Sequence, residues 1–79
     1  LLLMQQGRWV EAEEVFTEAL LQPSPLAQHH LNLGYVYLKG LDNRAAANKQ
    51  FNRFLRLQPT QANLVPADFR QAAAPGGQP

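Results

Sequence analysis

At 79 residues the chain has room for one small domain, and a chain this short buries only a modest fraction of its surface. Apolar residues make up 46%, too many for a disordered segment, and a formal net charge of +1 gives no bulk argument for nucleic acid or a membrane surface. With no cysteine there are no disulfide staples or thiolate metal sites, and no apolar run reaches the roughly 18 residues of a membrane span.

The chain opens on Leu1 rather than methionine, the expectation for a fragment or processed piece of a longer protein. Its "LLLM" start is too short for a signal peptide and lacks a basic leader. It reads instead as a short helix over 1–6, with "QGRW" as a weak break. In "RWVEAEEVFTEALL", Trp9, Ala12, Phe16, Ala19 and Leu20 recur at three- and four-residue steps with glutamates opposite, which predicts a helix over 8–22. "QPSP" ends it, and Pro25 suits the first turn of the next helix, over 25–39. There Leu26, His30, Leu33 and Tyr37 form one stripe, and Ala27, Leu31, Gly34 and Leu38 form its neighbour. After "KGLDN", Asn43 is a suitable N-cap for a fourth helix over 43–58 carrying Ala47, Phe51, Phe54 and Leu55. Pro59 stops it. Short turns between helices predict antiparallel neighbours.

The second and fourth helices match each other: Ala12 pairs with Ala47 and Phe16 with Phe51, a separation of 35 residues. Self-similarity at that period points to stacked helical hairpins. Residues 30–59 read His30-x-x-Leu33-Gly34-x-x-Tyr37, then Ala47-x-x-x-Phe51, then Pro59. This order resembles the tetratricopeptide repeat (TPR) pattern. The resemblance covers about three quarters of the chain. It departs at His30, where tryptophan is usual, at Phe54, where alanine is usual, and in a "KGLDN" turn one residue longer than expected. The implied fold is all-α, with antiparallel helix-turn-helix hairpins stacked as a short TPR-like right-handed solenoid. Residues 1–23 would be a truncated first repeat and 25–59 the second. Residues 60–73 would form a capping segment with a helix over 66–73 whose Phe69 and Ala73 turn inward, and 74–79 a disordered tail. Gly34, costly inside a helix, is expected to admit a partner helix closely, with Leu33 and Tyr37 turned toward Phe51.

Catalytic and metal constellations are missing from the sequence. His29 and His30 are adjacent and point about 100° apart on a helix, so one metal cannot take both. A packed His30 and a solvated His29 is the expectation. Ser24 stands alone as a nucleophile, and "APGGQP" opens no helix that could cradle phosphate. The chain is therefore read as a non-catalytic protein-interaction module with no cofactor, no nucleic-acid partner and no membrane span. By the resemblance, ligands lie against the first helix of each hairpin. That implies a partner-binding strip of Leu31, Tyr35, Leu38 and Met4, rimmed by Gln28, Asn32 and Lys39, and taking a peptide segment of a partner protein. Of the residues with which some family members clamp a terminal carboxylate, only Asn32 has a counterpart, so a clamp is not expected.

The charges allow an alternative. Glu11, Glu13, Glu14 and Glu18 put four of the six acids in the second helix. Arg44, Lys49, Arg53 and Arg56 put four of the seven bases in the fourth. In the 35-residue register Glu14 corresponds to Lys49 and Glu18 to Arg53. Two solvated faces would explain this, and so would a homo-oligomer whose acidic and basic helices meet between chains. Salt separates peptide capture from such assembly, because charge pairing weakens as ionic strength rises.

Overall fold

The computed structural model describes residues 2–23 and 26–73, with side chains through Arg70. Helices make up the regular structure, with no strand among the described residues. The elements are α1 (Leu2–Gln5), α2 (Trp9–Ala19), α3 (Ala27–Tyr35) continued by a π-helical turn (Val36–Gly40), α4 (Arg44–Leu57), a 3-10 segment (Pro59–Leu64) and α5 (Ala67–Ala73). The expected positions of Pro25 in a first helical turn, of the Ala73 side chain and of the 74–79 tail lie outside the described residues. Among the described residues no helix is long and apolar enough to cross a membrane.

Each boundary has a local cause. Gly7, at φ 73°, closes α1: its amide bonds to Met4 C=O at 3.1 Å and the Arg8 amide to Leu3 C=O at 2.8 Å. That double bond is the Schellman arrangement, which needs a left-handed residue where glycine is placed. Arg8 then pairs with Glu11 through Nε at 2.7 Å and through its terminal nitrogen, across the first turn of α2. This hydrogen-bonded pair holds the Glu11 carboxyl below the usual carboxylate range. Asn43 caps α4 as expected, its side-chain oxygen accepting from the Ala46 amide at 3.1 Å.

The "KGLDN" turn is entered through the π turn. The Leu41 amide reaches back five residues to Val36 C=O at 3.0 Å, and Asn43 to Tyr37 C=O at 2.8 Å. Asp42, in the left-handed region at φ 53°, then redirects the chain into α4. Such π turns accommodate one additional residue without ending a helix.

Helices α2 and α3 run antiparallel. Phe16 lies beside His29 with centroids 6.3 Å apart, Glu13 is bonded to Tyr37, and Trp9 lies against Gly40. The most extensive helix contact is between α3 and α4. Two apolar clusters result, one on each side of α3. Leu33 and Val36 join Ala12 and Phe16 of α2, with Leu3, Met4, Trp9, Leu20 and Leu41 at the edge. Leu31 joins Ala47, Phe51 and Phe54 of α4, and Val65 and Phe69 close that cluster from the C-terminal segment.

This arrangement corrects the expected facing of α3. Leu33 packs on α2 rather than on Phe51, and Tyr37 touches both clusters. Gly34 does meet Phe51: a Cβ there would lie 2.5 Å from its Cε1. His30 is buried, as expected, and its Nδ1 donates to Gln50 Oε1 at 2.8 Å. His29, expected in solvent, is half-buried beside Phe16, with its Nδ1 shielded and without a partner among the described residues.

Candidate interaction surfaces

The strip expected on α3 is largely closed. Leu31 is only 5% exposed, because α4 covers it from one side and Val65 and Phe69 from the other. Tyr35 stands edge-on to Phe51, with centroids 5.1 Å apart, and its hydroxyl donates to Leu64 C=O at 2.5 Å. Leu38 packs on the same cluster, whereas Met4 packs on the other one, against Ala12 and Phe16. Leu31 is buried and Tyr35, Leu38 and Met4 are half-buried, with Met4 on a different cluster, so the four do not form one open groove. The physical reason is the C-terminal segment, whose 3-10 turn carries Val65 and Phe69 onto α3 and α4. What stays accessible is a polar ridge. Gln28 Nε2 donates to Asn32 Oδ1 at 3.1 Å, and Lys39 lies 5.8 Å from the Tyr35 ring centroid.

The outer faces of α2 and α4 each carry a shallow, open hollow. On α2, an open groove of about 730 Å³ is lined by Glu13, Glu14, Val15, Thr17, Glu18 and Leu21. Its aliphatic members are solvent-facing, Val15 at 45% and Leu21 at 80% exposure. On α4, a smaller hollow of about 200 Å³ is lined by Lys49, Asn52, Arg53 and Arg56. Shifted back by the 35-residue repeat, those four positions are Glu14, Thr17, Glu18 and Leu21. The two hollows are therefore lined by positions 35 residues apart, one acidic and aliphatic, the other basic, with Leu21 in the turn after α2 and Arg56 within α4.

Charge at these places is not consumed within the chain. Among the described residues the ion pairs are Arg8–Glu11 and a surface pair, Arg44–Asp68, at 3.6 Å. Glu14, Glu18, Lys49, Arg53 and Arg56 are exposed and engaged in neither pair. Glu13 is different. It turns back toward the interior, where its Oε2 accepts from the Tyr37 hydroxyl at 2.7 Å. Burial, that hydrogen bond and the charge of the carboxylate push the Tyr37 hydroxyl up to about 12. Glu13 thus anchors the wall of the groove and Glu14 and Glu18 supply its free charge.

Among the described residues no group of three or more histidines, aspartates and glutamates could hold a metal ion. The grouped charges on α2 and α4 were legible from the sequence, but the hollows were not, because they depend on which residues the helix–helix packing consumes. Comparison with protein families, curated proteins and solved structures finds no match to the chain.

Proposed function

We propose that the chain is a non-catalytic protein-interaction module of tetratricopeptide-like build, and that its recognition surface is the outer face of α2. The observation that carries this reading is the groove of about 730 Å³ on that helix, where exposed Val15 and Leu21 sit among Glu14 and Glu18. An exposed aliphatic pair flanked by unpaired carboxylates favours a segment that presents aliphatic side chains and cations together. The apolar contact supplies area, and the charges steer encounter and reject acidic competitors. The doubled Ala-x-x-x-Phe element at a spacing of 35 residues supports the repeat assignment. The expected strip on α3 contributes less to binding, because Leu31 is buried and Tyr35 and Leu38 are half-buried against the core.

The test is a titration with two labelled helical peptides of one aliphatic pattern, the first with lysines between the leucines, the second with glutamates. The lysine peptide should bind and the glutamate peptide should not. Glu14→Lys with Glu18→Lys should abolish binding, and Leu21→Ser should weaken it. Equal binding of both peptides, or unchanged binding by the charge-reversed variant, would remove the α2 groove from consideration.

A further inference from the structure

Resting on the α2 reading and naming its occupant, we infer that the segment taken by the acidic face of α2 is the basic face of α4 in a second copy of this chain. The argument is one of register. The α4 hollow is formed by Lys49, Asn52, Arg53 and Arg56, the positions that correspond one for one to Glu14, Thr17, Glu18 and Leu21 of the α2 groove. Each stripe follows steps of three, one and three residues, so Lys49, Asn52, Arg53 and Arg56 share one side of α4 and Glu14, Thr17 and Glu18 one side of α2, with Leu21 in the turn that follows it. Laid together in the same direction, the two stripes bring Glu14 to Lys49, Thr17 to Asn52, Glu18 to Arg53 and the Arg56 stem to Leu21. Laid in opposite directions, they bring Glu14 to Arg56, Thr17 to Arg53, Glu18 to Asn52 and Leu21 to Lys49. The same-direction arrangement alone pairs two carboxylates with two cations, and neither direction opposes like charges.

Apolar surface continues on both sides of the seam. Val15 and Leu21 are exposed beside the carboxylates, and Leu57, at 54% exposure, follows Arg56 beside the cations. Across the seam the Thr17 hydroxyl also faces the Asn52 amide, whose Oδ1 is shielded, so the contact between them is Asn52 Nδ2 donating to Thr17 Oγ1. Thr17 currently donates to its own backbone at Glu13 C=O, 2.5 Å away. The charged groups themselves have no ion-pair partner within the described residues, so association does not first have to break internal pairs. Because the pairs are solvent-exposed, the association is weak and salt-controlled: the screening length falls from about 30 Å at 0.01 M salt to about 8 Å at 0.15 M.

The experiment is sedimentation equilibrium of the chain at low and high salt, with two charge-reversed variants. The wild type should associate at about 0.01 M salt and dissociate at 0.5 M or so, where screening is severe. Glu14→Lys/Glu18→Lys makes both faces basic, and Lys49→Glu/Arg53→Glu makes both faces acidic. Each variant alone should remain monomeric at low salt, and an equimolar mixture of the two should associate. Circular dichroism on each variant reports whether the fold is kept, and the salt response of the wild type needs no variant at all. A wild type that stays monomeric at low salt and millimolar concentration overturns the inference, as do folded variants that self-associate like the wild type or a mixture that stays monomeric. If the monomeric wild type still takes the lysine peptide, the α2 groove stands and only its assignment to a second copy falls.

Discussion

Gly34→Ala puts two opposing effects in direct competition. Within a helix, alanine is favoured over glycine by about 1 kcal/mol, so propensity alone predicts a more stable chain. The structure predicts the reverse. The new methyl would lie 2.5, 2.6 and 2.9 Å from Cε1, Cδ1 and Cζ of Phe51, so the ring would have to recede by about 0.9 Å to reach ordinary contact at 3.4 Å. Phe51 has nowhere to go. It is fully buried, with the Tyr35 ring 5.1 Å away and the Phe69 ring 4.9 Å away. Overpacking of this kind costs about 1–3 kcal/mol, so the expected outcome is a net loss of up to about 2 kcal/mol after the propensity gain. Each kcal/mol moves the melting temperature of a domain this size by about 4–8 °C. Thermal unfolding followed by circular dichroism should show Gly34→Ala melting below the parent and Gly34→Leu lower still. In a Phe51→Leu background the alanine should recover its propensity gain, because the ring that opposes it is gone. A Gly34→Ala variant that melts several degrees above the parent would refute close helix approach as the reason for the glycine.

Phe69→Ala should cost about 3–5 kcal/mol, as other buried Phe→Ala changes do, because Phe69 closes the cluster over Leu31 and Phe51; urea unfolding measures it, and near-wild-type stability would mean that the C-terminal segment is not part of the core. Asn43→Ala removes the side-chain acceptor for the Ala46 amide and should cost about 0.5–2 kcal/mol in the same assay. Tyr37 titrates near 10 when unfolded and is pushed up to about 12 in the fold, so the folded chain holds the proton more tightly. Its contribution to stability is complete below about pH 10 and is lost as pH rises toward the folded value. Tyr37→Phe should flatten that part of the stability profile relative to the wild type, and parallel profiles would contradict the Glu13–Tyr37 bond.

Helix number and order were legible because apolar residues recur at helical steps and because Gly7, Pro23, Asn43 and Pro59 punctuate them. The cost of a glycine inside a helix also pointed to close approach of a partner helix at Gly34, with Phe51 or Tyr37 to fill the space, and the Phe51 ring lies there. Periodicity could not say which side of α3 meets which partner. Leu33 and Leu31 both lie on apolar stripes, and the choice between α2 and α4 was made by long-range packing, with Val36 and Leu33 filling the space beside Ala12 and Phe16. The closure of the α3 strip was hidden for a related reason. "PTQANLVP" has no helical periodicity, so its 3-10 turn and the delivery of Val65 onto Leu31 follow from tertiary contact alone. Gly40 shows the same limit: its contact with Trp9, 31 positions earlier in the chain, leaves no local signal. The charge register between α2 and α4 was visible from the start, because exposed charge is not rearranged by packing. Which charges remained free was decided by structure, as the inward turn of Glu13 toward Tyr37 illustrates.

Two copies of the chain are proposed to meet through the outer faces of α2 and α4 and not through the α3 strip. The most direct measurement is a concentration series of amide chemical shifts on the isotope-labelled chain at low salt. Shifts should move together at Glu14, Thr17, Glu18 and Leu21 and at Lys49, Asn52, Arg53, Arg56 and Leu57, and the movement should vanish when salt is added. Shifts confined to Gln28, Asn32, Tyr35 and Lys39, or a spectrum independent of concentration and salt, would contradict the claim.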